Sequence, residues 1–387
     1  MTFSIDKKQD SAPGAALEPC QDMQEVQEIW CAMEAQQPAW DFNATWFSFQ
    51  TWVSHFNEGA VPVTKMTAGG RPVGLFPARI TRRTAAGVSF RVLSSLRNQH
   101  WGTGYPIIGS EPEQAIRALT FGLTRRHDWD VLEIGPMNSG CPLVPLLISA
   151  GEEANLAPTV CHREDNWRVR ISGAWEEYYK ARSTNLRQTV ARGERKLTAL
   201  GQVSLEVSTG DPEISERFSE FCQVEGSGWK GRGGTAIGSD QAAFGFHRDL
   251  MLSAAERGTL RLYFVRLNGR AVACVECILY SGVAYGIKMG RDETLAECGL
   301  GHVLLKRVLE DLFRTRDIHT FDMMIGGGAH SAYKARWATE KREYVTLRFF
   351  NPKTFRGVLA RRGFSMQTFV RGLRANRASA HQSETEP

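Results

Sequence analysis

From residue 259 onward the chain first contains short apolar runs separated by turn residues and then changes to a helical period. This pattern predicts three strands, a loop, a helix and a fourth strand, in the order TLRLYFVRL, AVACVECILY, VAYGIKMG, ECGLGH, GHVLLKRVLEDLFR and HTFDMMIG. Asn268-Gly269 separates the first two strands, and this dipeptide is typical of a tight hairpin because both turn positions need a positive φ. The helix before the last strand is a crossover connection, which makes the last two strands parallel. We therefore predict a mixed sheet with helices packed on it.

The first half of the chain repeats this order. Strands are predicted at 61–66, 72–80 and 88–94, a helix from about 111 to 126, and a last strand in WDVLEIG. Leu132-Glu133-Ile134 in that last strand corresponds to Phe321-Asp322-Met323 in the second half. The predicted fold class is therefore α/β with two tandem mixed sheets.

The patterning also divides the chain into segments. The predicted divisions are a disordered N-terminus at 1–19, a first domain at 20–165, a second domain at 166–350, and a basic C-terminal helix with a polar tail at 351–387. In the first domain, an aromatic helix around Trp46, Phe49 and Trp52 is interpreted as core.

Composition narrows the class of protein. The 387 residues are 42% hydrophobic and 23% charged with a net charge of +5, which is ordinary for a globular protein and too weakly basic for a dedicated DNA-binding protein. No apolar run approaches the roughly 18 residues that span a bilayer, and the acidic start does not resemble a signal peptide. We therefore predict a cytoplasmic protein with no transmembrane segment and with reduced cysteines.

A CxxC pair, Cys274 and Cys277, raises the question of a metal or redox site. Both cysteines fall in a predicted strand, where positions i and i+3 point to opposite faces of the sheet. No second CxxC exists to complete a four-ligand site. The pattern predicts two strand residues and no metal.

A basic helix, NLRQTVARGERKLTAL, joins the two halves after a capping Ser183-Thr184-Asn185. The apolar face of this helix consists of Leu186, Val190, Gly193, Leu197 and Leu200. The arginines and Lys196 around the rest of the helix have two interpretations: a solvated surface, or a surface that faces an anion over the second half.

The glycine-rich stretch GWKGRGGTAIG, residues 228–238, is not a nucleotide loop. Gly234 stands where the lysine of a phosphate loop must be, and the partial GxGxxA match follows a predicted helix instead of a strand. What remains is a loop that presents Trp229, Lys230 and Arg232. A ring and two cations suit an anionic or sugar-like ligand, through stacking and charge-assisted hydrogen bonds.

Two further clusters carry candidate chemistry. In ECGLGH, Gly299 and Gly301 precede a helix whose N-terminal amides can bind a diphosphate, with His302 in the first turn. In FDMMIGGGAHSAYKARW, three glycines precede a short helix. Its polar and aromatic face, at i, i+3, i+4 and i+7, consists of His330, Tyr333, Lys334 and Trp337.

These stretches together resemble the Gcn5-related N-acetyltransferase (GNAT) superfamily. From about residue 20 to 350 the chain resembles the tandem-GNAT, CelD-like acyltransferases associated with cellulose and exopolysaccharide biosynthesis, and the YKARW ending is also similar to the Fem peptidyltransferases. The resemblance implies acetyl-CoA or another acyl-CoA as donor. Its pantetheine arm would lie along Ile287, Lys288 and Met289, and its diphosphate on the loop from Gly299 to Gly301.

The chain departs from the GNAT loop pattern at Ala296, where glutamine or arginine is usual. Arg291 is the nearby cation that could substitute. Direct attack of an amine or hydroxyl on the thioester requires a base and an acid. The resemblance implies Asp322 as the base, although the alternative of a structural carboxylate stays open, with Tyr333 or Tyr285 as the acid and Lys334 at the oxyanion or an acceptor anion.

The implied acceptor is a sugar-type or other polar small molecule. The residues expected to bind it are Trp229, Lys230, Arg232, Tyr285, His330 and Trp337. The first half lacks the glycine and YK features, so we expect a degenerate partner that shapes the acceptor cleft through His100, Trp101 and Tyr105.

Two other hypotheses stay open. A Fem-like transferase that uses aminoacyl-tRNA would account for YKARW and the basic tail, and would bind with a steep salt dependence. A non-catalytic binding protein on a decayed fold would account for Ala296.

Overall fold

The computed structural model describes residues 15–36, 41–57, 59–60, 62–98, 100, 104–210, 213–227, 236–325 and 332–363. Trp101, Trp229, Lys230, Arg232 and His330 lie outside the described residues. The chain divides into two compact units. The first unit is Met1–Pro38, Ala60–Arg163 and Val345–Pro387, and the second unit is Ala39–Gly59 and Glu164–Tyr344.

The helices are listed in chain order: α1 (Met23–Gln36), α2 (Trp46–Phe56), α3 (Pro112–Thr124), α4 (Leu143–Glu153), α5 (Trp175–Lys180), α6 (Thr184–Leu200), α7 (Ile214–Gly226), α8 (Gln241–Glu256), α9 (Leu300–Arg314) and α10 (Ala332–Trp337). Residues 355–363 are also helical. Short 3₁₀ turns occupy Phe42–Ala44, Ile237–Ser239 and Glu293–Cys298.

The strands are β1 (Ala16–Pro19), β2 (Val63–Ala68), β3 (Arg71–Ala85), β4 (Val88–Ser95), β5 (Ile107–Ile108), β6 (Val131–Asn138), β7 (Thr159–Arg170), β8 (Val203–Ser208), β9 (Leu260–Leu267), β10 (Arg270–Tyr280), β11 (Val283–Arg291), β12 (Thr320–Ile325) and β13 (Glu340–Phe350).

In the first unit, β1 to β4 form consecutive antiparallel pairs, and β4 then pairs with β6 in parallel. The parallel pairing covers three positions, ending at Ser94 opposite Glu133. β1 lies inside the segment predicted to be disordered, and that prediction is wrong for these four residues. They pair with residues 64–67 of β2, and Leu17 packs against Gly122 of α3, which supplies the burial that orders them.

The second unit repeats the arrangement. β8, β9, β10 and β11 form consecutive antiparallel pairs, and β11 pairs with β12 in parallel. This pairing also covers three positions, ending at Tyr285 opposite Asp322. β12 is antiparallel to β7 on its other side, where Asp322 lies opposite Arg168. The mixed α/β fold and the duplicated strand order predicted from the sequence are confirmed.

Burial in the second unit follows the apolar faces of its helices closely. The stripe of α9 (Val303, Leu304, Val308, Leu309 and Leu312) is buried against the sheet. In α6 the predicted face is buried as far as Leu197, but Leu200 is 52% exposed because it ends the helix beyond the edge of the core.

The two CxxC cysteines lie on opposite faces, as predicted. The Cys274 thiol faces α7 through the Phe221 carbonyl (3.8 Å), whereas Cys277 belongs to the core under α9.

The compact units differ in part from the predicted domains. The boundary at Arg163/Glu164 lies close to the predicted one at 165/166. The aromatic helix α2, however, groups with the second unit, and Val345–Pro387 groups with the first. α2 packs on α8, where Phe56 and Phe246 lie with ring centroids 5.5 Å apart, so its apolar face is satisfied by a helix far away in sequence.

Candidate functional site

The candidate site of the second unit lies where β11 and β12 diverge. Their pairing stops after Tyr285 and Asp322, within the described residues. At the same level β11 carries a bulge against β10: Gly286 lies opposite Cys277 and Lys288 opposite Glu276, so that Ile287 is the extra residue. A bulge interrupts the ladder and bends its strand. Beyond the Tyr285–Asp322 pair the sheet is therefore open between the two strands, next to the segment Ile287–Met289.

The helix α9 begins beside this opening. Gly299 adopts a left-handed conformation (φ 58°), and its carbonyl accepts from the amides of His302 and Val303 at 2.9 and 3.3 Å. The preceding turn brings the chain from β11 to the helix, with Asp292 accepting from the Thr294 amide. The first amides of a helix point along its axis without intrahelical acceptors, so this turn exposes donors and the positive end of the helix dipole.

The space at the helix start is open. A Cβ atom built on Gly299 would meet nothing within 4 Å, and one built on Gly301 would meet only the Arg291 guanidinium, at 3.9 Å. The start of α9 therefore fits a diphosphate, because it combines free space, helix amides and one adjacent guanidinium. Arg291 lies where the sequence predicted a substitute for the missing cation at position 296.

His302 joins the helix start to α10. Its Nδ1 accepts from the Trp337 indole N–H at 3.0 Å, and Arg336 Nη1 lies 3.4 Å from its Nε2. Because an indole nitrogen can only donate, Nδ1 must be unprotonated. Burial, followed by the positive charges of Arg336 and Arg291, lowers the pKa of His302 to about 4. His302 is thus neutral at pH 7 and carries its proton on Nε2.

Asp322 lies at the last paired position of β12 with both oxygens engaged. Oδ1 accepts from the Asn166 side chain and the Met324 amide, both at 2.8 Å, and Oδ2 forms an ion pair with Arg168 at 3.0 Å. Asp322 is 3% exposed and Arg168 8% exposed. These contacts fix the end of β12.

Lys334 holds the same strand end from α10. Its ammonium donates to the carbonyls of Met323 (2.6 Å) and Met324 (3.2 Å), and Met324 has a positive φ of 58°. Burial lowers the pKa of Lys334 to about 8, opposed by the charge of Asp322. Lys334 therefore braces the diverging backbone of β12.

The two candidate acids lie on opposite sides of the opening. Tyr285 is buried against Phe42, with ring centroids 5.0 Å apart, and burial together with Asp41 and Asp322 raises its pKa. Burial also raises the pKa of Tyr333, whose ring lies 6.2 Å from that of His302. Both phenols are protonated at neutral pH and can act as donors.

The basic helix α6 packs beside the turn before α9. Gly193 lies so close to the Cys298 carbonyl that a Cβ there would collide with it. Lys196 and Glu194 form ion pairs with Glu297 (3.1 Å) and Lys306 (2.8 Å). Arg192 and Arg195 are exposed on the same helix. One face of α6 is therefore packed on the turn, and the exposure of Arg192 and Arg195 agrees with the interpretation as a solvated surface.

The structure thus places most of the predicted residues in one region. Arg291, His302, Tyr333 and Trp337 cluster at the start of α9, and Tyr285, Asp322 and Lys334 lie at the strand opening. The acceptor loop and His330 lie outside the described residues. The predicted residues His100 and Tyr105 belong to the first unit.

Sequence reasoning missed several buried polar residues. The buried residues Arg168 and Asn166 bind Asp322, and at the surface Arg336 donates to Asn185 at 2.7 Å. On the opposite face of the sheet, His247 of α8 lies 3.1 Å from Glu276 of β10, and both are fully buried. A glutamate within the apolar run ACVECILY was a usable signal, because an unpaired charge is rarely buried.

Among the described residues, no helix is long and apolar enough to cross a membrane. In the same part of the chain, no group of three or more histidine, cysteine, aspartate or glutamate side chains is arranged to hold a metal ion.

Residues 184–335 match the family described as an acetyltransferase (GNAT) domain. This segment contains α6, the β8–β12 sheet, α9 and most of α10. The second unit therefore carries a GNAT acetyltransferase domain, and the protein is a GNAT-type acyltransferase. No curated protein sequence matches the chain.

Several solved structures are similar in fold to most of the chain at low sequence identity. FemX is 11% identical with a TM-score of 0.53, covering 84% of this chain and 95% of FemX. The C-terminal domain of a putative lysylphosphatidylglycerol synthetase from Agrobacterium fabrum is 15% identical with a TM-score of 0.51, covering 87% and 95%. L-PGS from Bacillus licheniformis is 14% identical with a TM-score of 0.50, covering 89% and 97%. At these identities the likeness is one of fold, and the narrower CelD-like resemblance stays a prediction.

Proposed function

We propose that the protein transfers an acyl group, in the simplest case acetyl, from acyl-CoA to an amine or hydroxyl of a polar, sugar-type acceptor. The observation that carries this proposal is the open start of α9. Free space at Gly299 and Gly301, helix amides and Arg291 together form a site for a diphosphate next to the divergence of β11 and β12. A role in exopolysaccharide or cellulose biosynthesis rests on the sequence resemblance.

The donor would supply a thioester carbonyl, and transfer requires the acceptor to lose a proton and the departing thiolate to gain one. We assign the proton donation to Tyr333 or Tyr285, because the raised pKa of each phenol keeps it protonated. Tyr333 is the stronger candidate, since it lies with His302 and Arg291 at the helix start, whereas Tyr285 is buried against Phe42.

The contacts of Asp322 support the structural alternative left open by the sequence. Two hydrogen-bond donors and the Arg168 guanidinium surround its buried carboxylate, which is the environment of a structural ion pair. We propose that Asp322 and Lys334 are positioning residues that keep β12 apart from β11. The acceptor base is then sought among the residues that face the opening.

Calorimetric titration of the full chain with acetyl-CoA tests the proposal. Wild-type protein should bind one equivalent. Gly301→Asp should weaken binding on the order of 100-fold, because a carboxylate would occupy the diphosphate space and oppose its charge. Gly301→Ala is the matched control: its methyl group has room, so affinity should stay within about twofold.

A second pair of variants tests the substitute cation. Arg291→Gln should weaken acetyl-CoA binding about 10-fold through the loss of one charge-assisted hydrogen bond, and Arg291→Lys should recover part of it. Wild-type protein that ignores CoA thioesters would refute the proposal. Salt-sensitive binding of aminoacyl-tRNA in place of acetyl-CoA would favour the Fem-like alternative.

A further inference from the structure

The first unit contains a cavity of about 490 Å³ on one face of its sheet. Ser94 and Glu133, the last parallel pair of β4 and β6, line it. They hold the same place in the first unit as Tyr285 and Asp322 in the second. The cavity is therefore the first unit's counterpart of the strand opening, and its volume is that of a small-molecule site.

The lining is strongly basic. Arginines 79, 83, 97 and 348 line the cavity with a single carboxylate, Glu133, so the lining carries 4 − 1 = +3 charges without His162. Arg79, Thr81 and Arg83 alternate along β3 and so project from one face of the sheet. Such a concentration of guanidinium groups around one acid favours an anionic ligand.

Glu133 organises two of these arginines. Its carboxylate accepts from Arg83 at 2.7 Å and from Arg348 at 2.6 and 3.0 Å. Arg79 projects from the strand next to Ser94 and is exposed at the cavity. The acid thus fixes part of the guanidinium cluster without neutralising it.

Two lining residues also carry hydroxyl groups without partners, just beneath the surface of the cavity. The Oγ1 atoms of Thr81 and Thr346 are buried and have no hydrogen-bond partner among the described residues. Thr346 is 8% exposed. A buried hydroxyl without a partner costs about 1–3 kcal/mol, and a side-chain rotation that brings it to the cavity would let an oxygen-rich ligand recover that cost.

The cavity cannot bind CoA in the manner proposed for the second unit. α3 begins at Pro112 between Glu111 and Glu113, with no glycine pair at its start. Two carboxylates at a helix N-terminus already balance its dipole and repel a diphosphate. A ligand of this cavity would therefore be held by the side chains that line it and not by helix amides.

We propose that the first unit binds a phosphate-bearing small molecule in this cavity, with Arg79 contacting the phosphate and Thr81 and Thr346 donating to it. A tetrahedral phosphate presents more acceptor oxygens than a carboxylate, which matches several guanidinium and hydroxyl donors around one space. A carboxylate ligand is the alternative outcome.

Calorimetric titration with pyrophosphate tests the proposal in full-length protein carrying Gly301→Asp, which removes the diphosphate site proposed for the second unit. Arg79→Gln should weaken pyrophosphate binding about 10-fold, and Thr346→Val about 5-fold. Arg82→Gln is the matched control, because Arg82 lies on the same strand, is exposed and faces away from the cavity. It should change the affinity less than twofold.

Equal pyrophosphate affinities for Arg79→Gln and Arg82→Gln would overturn the proposal, as would tighter binding of malonate than of pyrophosphate. Competition then identifies the rest of the ligand: displacement at lower concentration by glucose 1-phosphate supports a sugar phosphate, and by ADP a nucleotide. Failure of both to displace pyrophosphate would also overturn it. This result is independent of acetyl-CoA binding to proteins with an intact Gly301.

Discussion

The two units have the same strand order but different helix starts. In each, three antiparallel strands lead through a helix to a fourth strand parallel to the third, with three paired positions. In the second unit the helix begins at Gly299-Leu300-Gly301 and is open, whereas in the first it begins at Pro112 between two glutamates. Among the described residues, the helix start of the second unit therefore has the features of a diphosphate site, and the helix start of the first unit does not.

A second comparison concerns the carboxylate at the last parallel pair. Glu133 is bound by Arg348 of β13, and Asp322 is ion-paired with Arg168 of β7. A feature that recurs in the unit without a glycine loop belongs to the architecture, and a feature confined to one unit is the better candidate for chemistry. The comparison supports a positioning role for Asp322 and directs attention to the residues around His302.

The largest expected effect compares the two carboxylates. Asp322→Ala should lower the free energy of unfolding by about 3–5 kcal/mol, because it leaves Arg168 charged and buried. Glu133→Ala should cost only about 1 kcal/mol, since its partners Arg83 and Arg348 are 53% and 28% exposed. Urea unfolding of both variants measures the difference. Equal losses would contradict the distinction between a buried and a partly solvated pair.

The hydrogen bonds of Lys334 to the end of β12 have no counterpart among the residues named in the first unit. Lys334 has a folded pKa of about 8, below its ordinary 10.5, so the unfolded chain binds more protons between these values. Wild-type stability should therefore rise relative to Lys334→Met between pH 8 and pH 10, by about 2 kcal/mol. Urea midpoints of both proteins at pH 7, 8.5 and 10 provide the test, and a constant difference would refute the assignment.

The contact between α6 and the turn before α9 is expected to matter for donor binding. Gly193→Ala should push α6 away from the Cys298 carbonyl, cost about 1–3 kcal/mol of stability and weaken acetyl-CoA binding about 10-fold. Gly238→Ala is the control, because a Cβ there meets nothing within 4 Å. An affinity unchanged in Gly193→Ala would show that the turn does not depend on α6.

The smallest expected effect is a change in the pKa of His302. Its depressed pKa means that it contributes stability above its ordinary value of 6.5 and that this contribution is lost as the pH falls toward about 4. A ring NMR titration should have its midpoint near pH 4 in the free protein. Acetyl-CoA should move the midpoint upward by about one unit, because a bound diphosphate favours the imidazolium. An unchanged midpoint would place the diphosphate elsewhere.

The periodicity of apolar and polar residues, together with the turn residues, predicted more of the fold than of the candidate site. The hairpin at Asn268-Gly269, the stripe of α9 and the opposite faces of Cys274 and Cys277 all follow from local periodicity and turn chemistry, which act over a few residues. The glycine pair and Arg291 could also be identified from the sequence, because they lie within eleven residues of one another in the chain.

The remaining site residues were decided by pairings between distant segments. Arg168 meets Asp322 only because β7 lies beside β12, and Trp337 meets His302 only because α10 returns to the start of α9. The grouping of α2 with the second unit and the arginine cavity of the first depend on the same kind of long-range contact. Periodicity reports which face of an element is apolar, and tertiary packing alone determines which distant polar groups share a dry space and which of them shift their pKa values.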